Sequence, residues 1–179
     1  MIAIDPGAGG GIAWIAADGS VHAAKMPEGM TAICDVLIEF RGQLSYHIGV
    51  PAPAVMELVH AMPGDGRASV GSFLRHCGWL DAALYLSGYS VTSVTPAKWQ
   101  SGIGVPRGET LPKDMAPAVK RAELARRKAE RKAWIKEQMQ RRYPHIRVTL
   151  HTADALGILT WAQSCARHAQ AHEETPKPT

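Results

Sequence analysis

The sequence predicts an α/β domain built on a mixed β-sheet. Its first 25 residues hold three short apolar stretches joined by tight turns, and strand-like and helix-like stretches alternate over most of the rest. An apolar fraction of 46% in 179 residues suits one core and one domain. No run of 18 or more apolar residues occurs, so no membrane span is expected.

Residues 1–5 (MIAID) read as a strand, 11–17 (GIAWIAA) as a second and 20–25 (SVHAAK) as a third, with Asp18-Gly19 as a hairpin turn. Ile33, Val36, Leu37 and Phe40 recur at helical spacing, so a helix covers 31–44. After Pro51-Ala-Pro comes a strand at 54–59 (AVMELV), then a loop at Met62-Pro-Gly-Asp-Gly-Arg. Val70, Phe73, Cys77, Leu80 and Leu84 step by three and four and mark one face of a helix over 68–86. YSVTSV (89–94) is a strand, and Thr95-Pro96 opens a short helix with proline at its favoured first position.

Glycines and prolines at Gly102, Gly104, Pro106, Gly108 and Pro112 make 102–112 a loop. A long helix follows from Lys113 to Arg142. Its apolar stripe is thin, limited to Ala122, Ala125, Ala129 and Ala133, and Pro144 ends it. IRVTL (146–150) is a candidate last strand. The closing helix starts near His151 or Thr152, and the tail 171–179 has the composition of a disordered segment. The first three strands should be antiparallel neighbours, with the later ones parallel to the first.

The net charge is only +4, but it is unevenly spread. Residues 120–147 carry eleven Lys and Arg against three Glu, a local excess of +8 that leaves the rest at −4. A basic stretch on a mildly acidic body suits a polyanion such as nucleic acid. A solvated helix laced with pairs such as Glu123–Arg127 would show the same composition, so charge alone leaves both readings open. Cys34, Cys77 and Cys165 lie in apolar periodic stretches with no CxxC pairing. They read as reduced core thiols of a cytosolic protein rather than a disulfide or zinc framework. Asp5 interrupts the first apolar stretch and no basic segment precedes it, so no signal peptide is expected.

Three acids occupy unusual positions. Asp5 ends the first strand, Glu57 lies in an otherwise apolar strand where a free charge is costly to bury, and Asp154 sits in the first turn of the last helix. If the strand of Glu57 runs parallel beside the first, both carboxylates project near one edge, and a helix packed there adds the third. Such a cluster repels itself unless divalent cations neutralise it, and oxygen-only ligation suits magnesium or manganese better than zinc. Each acid also has a plainer role open to it. Asp5 before Pro-Gly suits a turn, and Asp154 favours a helix start through the dipole.

The pattern IDPGxxxG at Ile4–Gly11, the strand Glu57 and the ADAL helix start together resemble the RuvC-type Holliday junction resolvases of the RNase H-like superfamily. "ELVHAMPGDG" and "VTPAKWQ" are closer to the phage-encoded RuvC-like endonucleases, and these motifs span nearly the whole chain in the expected order. The resemblance implies an RNase H-like fold with a mixed five-stranded sheet flanked by helices, as one nuclease domain over 1–170 with the long basic helix (113–143) inside it. It implies an Mg²⁺-dependent crossover junction endonuclease, with Mn²⁺ able to substitute, that cuts four-way and other branched DNA in recombination, repair or phage DNA processing.

The same resemblance assigns Asp5, Glu57 and Asp154 as metal-binding carboxylates and His151 as a fourth catalytic position, three residues before the last Asp. Two-metal hydrolysis would then leave 5′-phosphate and 3′-hydroxyl ends. His60 stands where bacterial resolvases commonly carry a wedging aromatic, and the basic helix is longer than theirs. The DNA-binding residues on this reading are His60, as a ring that could stack less strongly, and Arg67, Lys98, Arg107, Lys113 and the bases of the long helix, among them Lys120 and Arg121, which would track phosphates. Gly7, Gly9, Gly10 and Gly11 would let the backbone approach DNA, although a glycine run also serves a tight hairpin. Trp79 and Trp99 read as core residues. A two-fold substrate fits a homodimer, with the helix at 68–86 as candidate interface. Three alternatives stay open: a less selective flap and Y-junction nuclease, a non-catalytic DNA-binding module, and an ATP-binding domain of the actin and sugar-kinase type, for which 179 residues are too few.

Overall fold

The computed structural model describes all residues but 45, 47, 48, 60–66, 113 and 174–179, and not the side chains of 67–69 and 171–173. His60 and Lys113 therefore lie outside the described residues. The elements follow in the order β1 (Ile2–Asp5), β2 (Gly11–Ile15), β3 (Val21–Lys25), α1 (Met30–Gln43), β4 (Ala52–Glu57), α2 (Arg67–Leu86), β5 (Tyr89–Val94), α3 (Pro96–Gly102), α4 (Pro117–Arg142) and α5 (Ala153–Glu173).

The strands form one mixed sheet in the order β3-β2-β1-β4-β5. β1–β2 and β2–β3 pair antiparallel, as a hairpin meander must, while β4 lies parallel to β1 and β5 parallel to β4. Both parallel connections carry a helix, and β1, with helices over both faces, is apolar at three consecutive buried positions, Ile2, Ala3 and Ile4.

The pleat sorts these residues. Ile2, Ile4, Ile12 and Trp14 meet Ile33, Leu37 and Phe40 of α1 and Leu80 and Leu84 of α2. Ala3, Ala13 and Val55 face the other way, against Trp99 of α3, Ile135 and Met139 of α4, and Leu156 and Leu159 of α5. The result is a three-layer α/β/α arrangement.

Four expectations are corrected. IRVTL is not a strand. Its backbone is satisfied by one side chain, since the Gln140 amide donates to the Ile146 carbonyl (2.8 Å) and accepts from the Val148 N–H (3.0 Å) while Val148 buries its side chain. The long helix starts at Pro117 rather than Lys113, because proline is favoured in the first turn, where its missing N–H is not needed. The alanine stripe of α4 is exposed at all four positions; methyl groups bury too little to hold a helix down, and Ile135 and Met139 anchor its C-terminal half instead. Of the cysteines, Cys34 and Cys77 are half-buried, but Cys165 is exposed on α5. Among the described residues no helix is long and apolar enough to cross a membrane.

Candidate active site

Asp5 and Glu57 are the last residues of β1 and β4, one step past the register pair Ile4–Met56 of these parallel neighbours. The two-residue repeat puts Asp5 on the face of Ala3 and Glu57 on the face of Val55, which is the face covered by α3, α4 and α5. α5 packs on β1, β2 and β4 from that side and brings Asp154, in its first turn, to the same edge. Acids from three elements distant in sequence thus converge at the C-terminal end of the parallel strands.

Each acid has a distinct environment. Glu57 accepts a hydrogen bond from the indole N–H of the buried Trp99, at 2.7 Å from Oε1. Asp154 Oδ2 faces the Lys132 ammonium at 3.9 Å, and its Oδ1 is buried with no hydrogen-bond partner. Burial pushes the Asp5 carboxyl up to about 8; the charges of Asp154 and Glu57 push the same way, and Lys132 opposes them. Burial also raises Glu57 above the usual carboxylate range, with the Trp99 bond and the bases Arg131 and Lys132 pulling down and Asp154 pushing up. Asp154 is raised by burial against the pull of Lys132 and Arg131. Desolvation dominates at all three positions, and mutual repulsion adds to it at Asp5 and Glu57.

The donor set fits a hard divalent cation. It offers carboxylate oxygens only, their charges repel one another, and one buried oxygen lacks a partner. Asp5, Glu57 and Asp154 are the residues that could hold Mg²⁺ or Mn²⁺. Among the described residues no three acids, histidines or cysteines are gathered tightly enough to enclose an ion as they stand. The acids are therefore in electrostatic contact rather than in a closed ligand shell.

His151 lies in the turn before α5, exposed, with Nδ1 2.8 Å from the Gly9 carbonyl. Since a carbonyl only accepts, Nδ1 carries the proton of that bond, and in the neutral ring the lone pair is on Nε2. Two of the glycines serve this junction. A Cβ on Gly10 would stand 2.0 Å from the Asp5 carbonyl oxygen, and one on Gly11 2.3 Å from the His151 carbonyl oxygen. Their absent side chains let β2 and the 151 turn close on Asp5, whereas a Cβ on Gly9 would meet nothing within 4 Å. Of the four glycines expected to clear space for DNA, Gly10 and Gly11 instead clear space for the protein's own backbone.

The residues expected to follow phosphates are spread more widely. Lys98 is exposed, with its ammonium 5.5 Å over the Trp161 ring, and Arg107 is exposed and donates to Ser101 Oγ at 3.3 Å. Lys120 and Arg121 are exposed near the start of α4, and Arg67 begins α2. The bases whose charges reach the acids, Arg131 and Lys132, belong to the long helix, whose bases the sequence assigns to phosphates as a group without placing any beside the carboxylates. Their signal is helical spacing: both stand three or four residues before the buried Ile135, and Lys132 is half-buried there while Arg131 stays exposed. Trp99 was expected in the core, where it is; its bond to Glu57 was not foreseen.

No protein-family model and no curated protein matches the sequence. Solved structures do. T. thermophilus RuvC in complex with Holliday junction substrate superposes with a TM-score of 0.59 at 14% identity, covering 94% of this chain and 96% of that one. A second Thermus thermophilus RuvC structure gives 0.51 at 17% identity, over 94% and 97%. The fold is RNase H-like. Its five strands in the order 3-2-1-4-5, flanked by five helices among the described residues, follow the RuvC arrangement along nearly the full length of both chains.

Proposed function

We propose that this chain is a divalent-metal-dependent endonuclease of the RuvC type, resembling its phage-encoded branch, that cuts branched DNA and above all four-way junctions. The observation that carries this reading is the convergence of Asp5, Glu57 and Asp154, from two strand ends and a helix start, at one edge of an RNase H-like sheet. One of the similar structures, T. thermophilus RuvC, is in complex with Holliday junction substrate. The basic α4, beside the acids, supplies the charge a polyanion needs.

Bound divalent cations would activate water and offset the charge that builds up on the phosphate as it is attacked. The protein's part is to hold the carboxylates in place. Trp99 fixes one oxygen of Glu57, and β1 and β4 fix the spacing of Asp5 and Glu57 through a hydrogen-bonded ladder. The His151–Gly9 bond ties the turn before Asp154 to the loop after Asp5. Exposed bases on α4, together with Lys98 and Arg107, draw the DNA backbone to this edge. A junction with two-fold symmetry is served by two copies of the chain, and α2, with Leu74 and Tyr85 exposed, is the proposed contact between them.

The test is cleavage of a panel of four-way junction, three-way junction, flap and linear duplex DNA with and without Mg²⁺. Mg²⁺-dependent cutting of the four-way junction, absent in Asp5→Asn while DNA binding persists, is the expected result. Full activity of Asp5→Asn would sink the assignment. Faster cutting of flaps than of junctions would retain the chemistry but change the substrate.

A further inference from the structure

We infer that Lys132 is a resident counter-cation of the carboxylate cluster, which a divalent ion must displace in order to bind. This rests on the proposed role of Asp5, Glu57 and Asp154 as a metal site. It adds that the site is guarded by a base from the protein itself.

The geometry is specific to this residue. Lys132 Nζ stands 3.9 Å from Asp154 Oδ2, and its positive charge also acts on Asp5 and Glu57, so one ammonium is paired with one acid and felt by all three. Its helix cannot drift away freely, because Ile135 and Met139, one and two turns on, are buried in the core shared with α5. The side chain itself can move. It is 38% exposed against 16% for Asp154, and its four-carbon stem can carry the ammonium out to water. The other Asp154 oxygen is buried and unpartnered, so Lys132 leaves the cluster incompletely satisfied.

A divalent ion bound by Asp154 would stand within a few ångströms of the ammonium, where two positive charges repel strongly in a partly desolvated setting. The ion and Lys132 therefore compete for one carboxylate. Arg131 acts electrostatically on Glu57 and Asp154 but forms no ion pair with them, and Lys136, one turn further on, is exposed on the same helix. Neither has the place of Lys132.

The experiment is Mn²⁺ binding to the full chain without DNA, by calorimetry, for the wild type, Lys132→Gln, Lys132→Arg and Lys136→Gln. Lys132→Gln is expected to bind Mn²⁺ about tenfold more tightly. Lys132→Arg, which keeps the charge, and Lys136→Gln, which removes a base from the same helix away from the acids, should each stay within about twofold of wild type. If Lys132→Gln fails to fold, Lys132→Met, with an apolar stem that keeps the packing, is read the same way. Equal or weaker binding by the neutral variant, beside a wild type that binds, overturns the inference alone. An equal gain in Lys136→Gln overturns it too, since the effect would then belong to the general field of α4. Binding by none of the proteins overturns both the inference and the metal-site reading.

Discussion

The two faces of the sheet share the same strands and do opposite things. Toward α1 and α2 the strands present Ile2, Ile4, Ile12 and Trp14, large side chains that fill an apolar layer. Toward α5 they present Ala3, Ala13 and Val55, and two of those strands end in an acid. Small residues on the second face let α5 lie close to β1, which is how the first turn of a helix reaches the end of a strand. Stability and proposed chemistry are thus divided by the pleat, and a slip of one residue in β1 would exchange them.

The sharpest way to break this division is Asp5→Asn. Junction cleavage should fall by about a thousandfold or more, since the acid common to the cluster is neutralised while its shape is kept. The same substitution should stabilise the metal-free protein at alkaline pH. With its folded-state value raised to about 8, Asp5 contributes most below about pH 4, where it is protonated in both states, and that contribution is lost as pH rises through 8. Glu57 and Asp154 are raised in the same direction and add to the trend. Thermal melts in EDTA from pH 5 to 9 should therefore slope downward in the wild type and less in Asp5→Asn. An unchanged slope would show that burial of Asp5 does not govern it.

The opposite face should answer in stability alone. Leu84 is fully buried against the sheet on the side away from the acids, so Leu84→Ala should cost about 3 kcal/mol. Urea melts measure that loss, and cleavage per folded molecule should stay within about twofold of wild type. A large loss of specific activity would mean that the two faces are mechanically coupled.

Much of this division is readable in the sequence. A Glu in an apolar strand stands out because a free charge is costly there, whereas a strand-end acid before Pro-Gly and an Asp in a helix's first turn obey local rules and gain meaning only beside it. The antiparallel start and the parallel returns follow from the hairpin meander and the alternation after it. What the sequence hides depends on long-range partners. IRVTL has the β-branched pattern of a strand, and only the position of Gln140 shows that a side chain has taken up its backbone groups. Lys132 is one base among eleven in a run whose composition hides direction; Ile135 and Met139 reveal which of them turn inward. Trp99 is apolar by composition, and its indole N–H matters only once Glu57 is beside it.

Trp99 makes the next test, because it belongs to both functions of its face. Trp99→Phe keeps most of the buried ring but removes the only hydrogen bond to Glu57 found among the described residues. The bond lowers the Glu57 value against burial, so its loss should push that value further up. Cleavage should drop about tenfold, and the pH at which activity rises should be displaced upward from that of the wild type. A loss that is the same at every pH would assign Trp99 to packing alone.

The smallest effect belongs to the half of α4 that packs least. Before Lys132 its residues are mostly exposed, Val119 and Leu124 among them, and nothing in that stretch is as buried as Ile135 or Met139. A helix segment so placed contributes little to folding and is free to serve as a charged rail. Lys120→Gln combined with Arg121→Gln should leave the melting temperature within about 1 °C and weaken DNA binding only a few-fold at moderate salt. The informative quantity is the slope of log affinity against log salt, whose magnitude should fall by about 0.9 for each phosphate no longer neutralised. If the slope does not change, DNA passes the acid edge without touching the start of α4, and the basic excess there serves only to keep an exposed helix solvated.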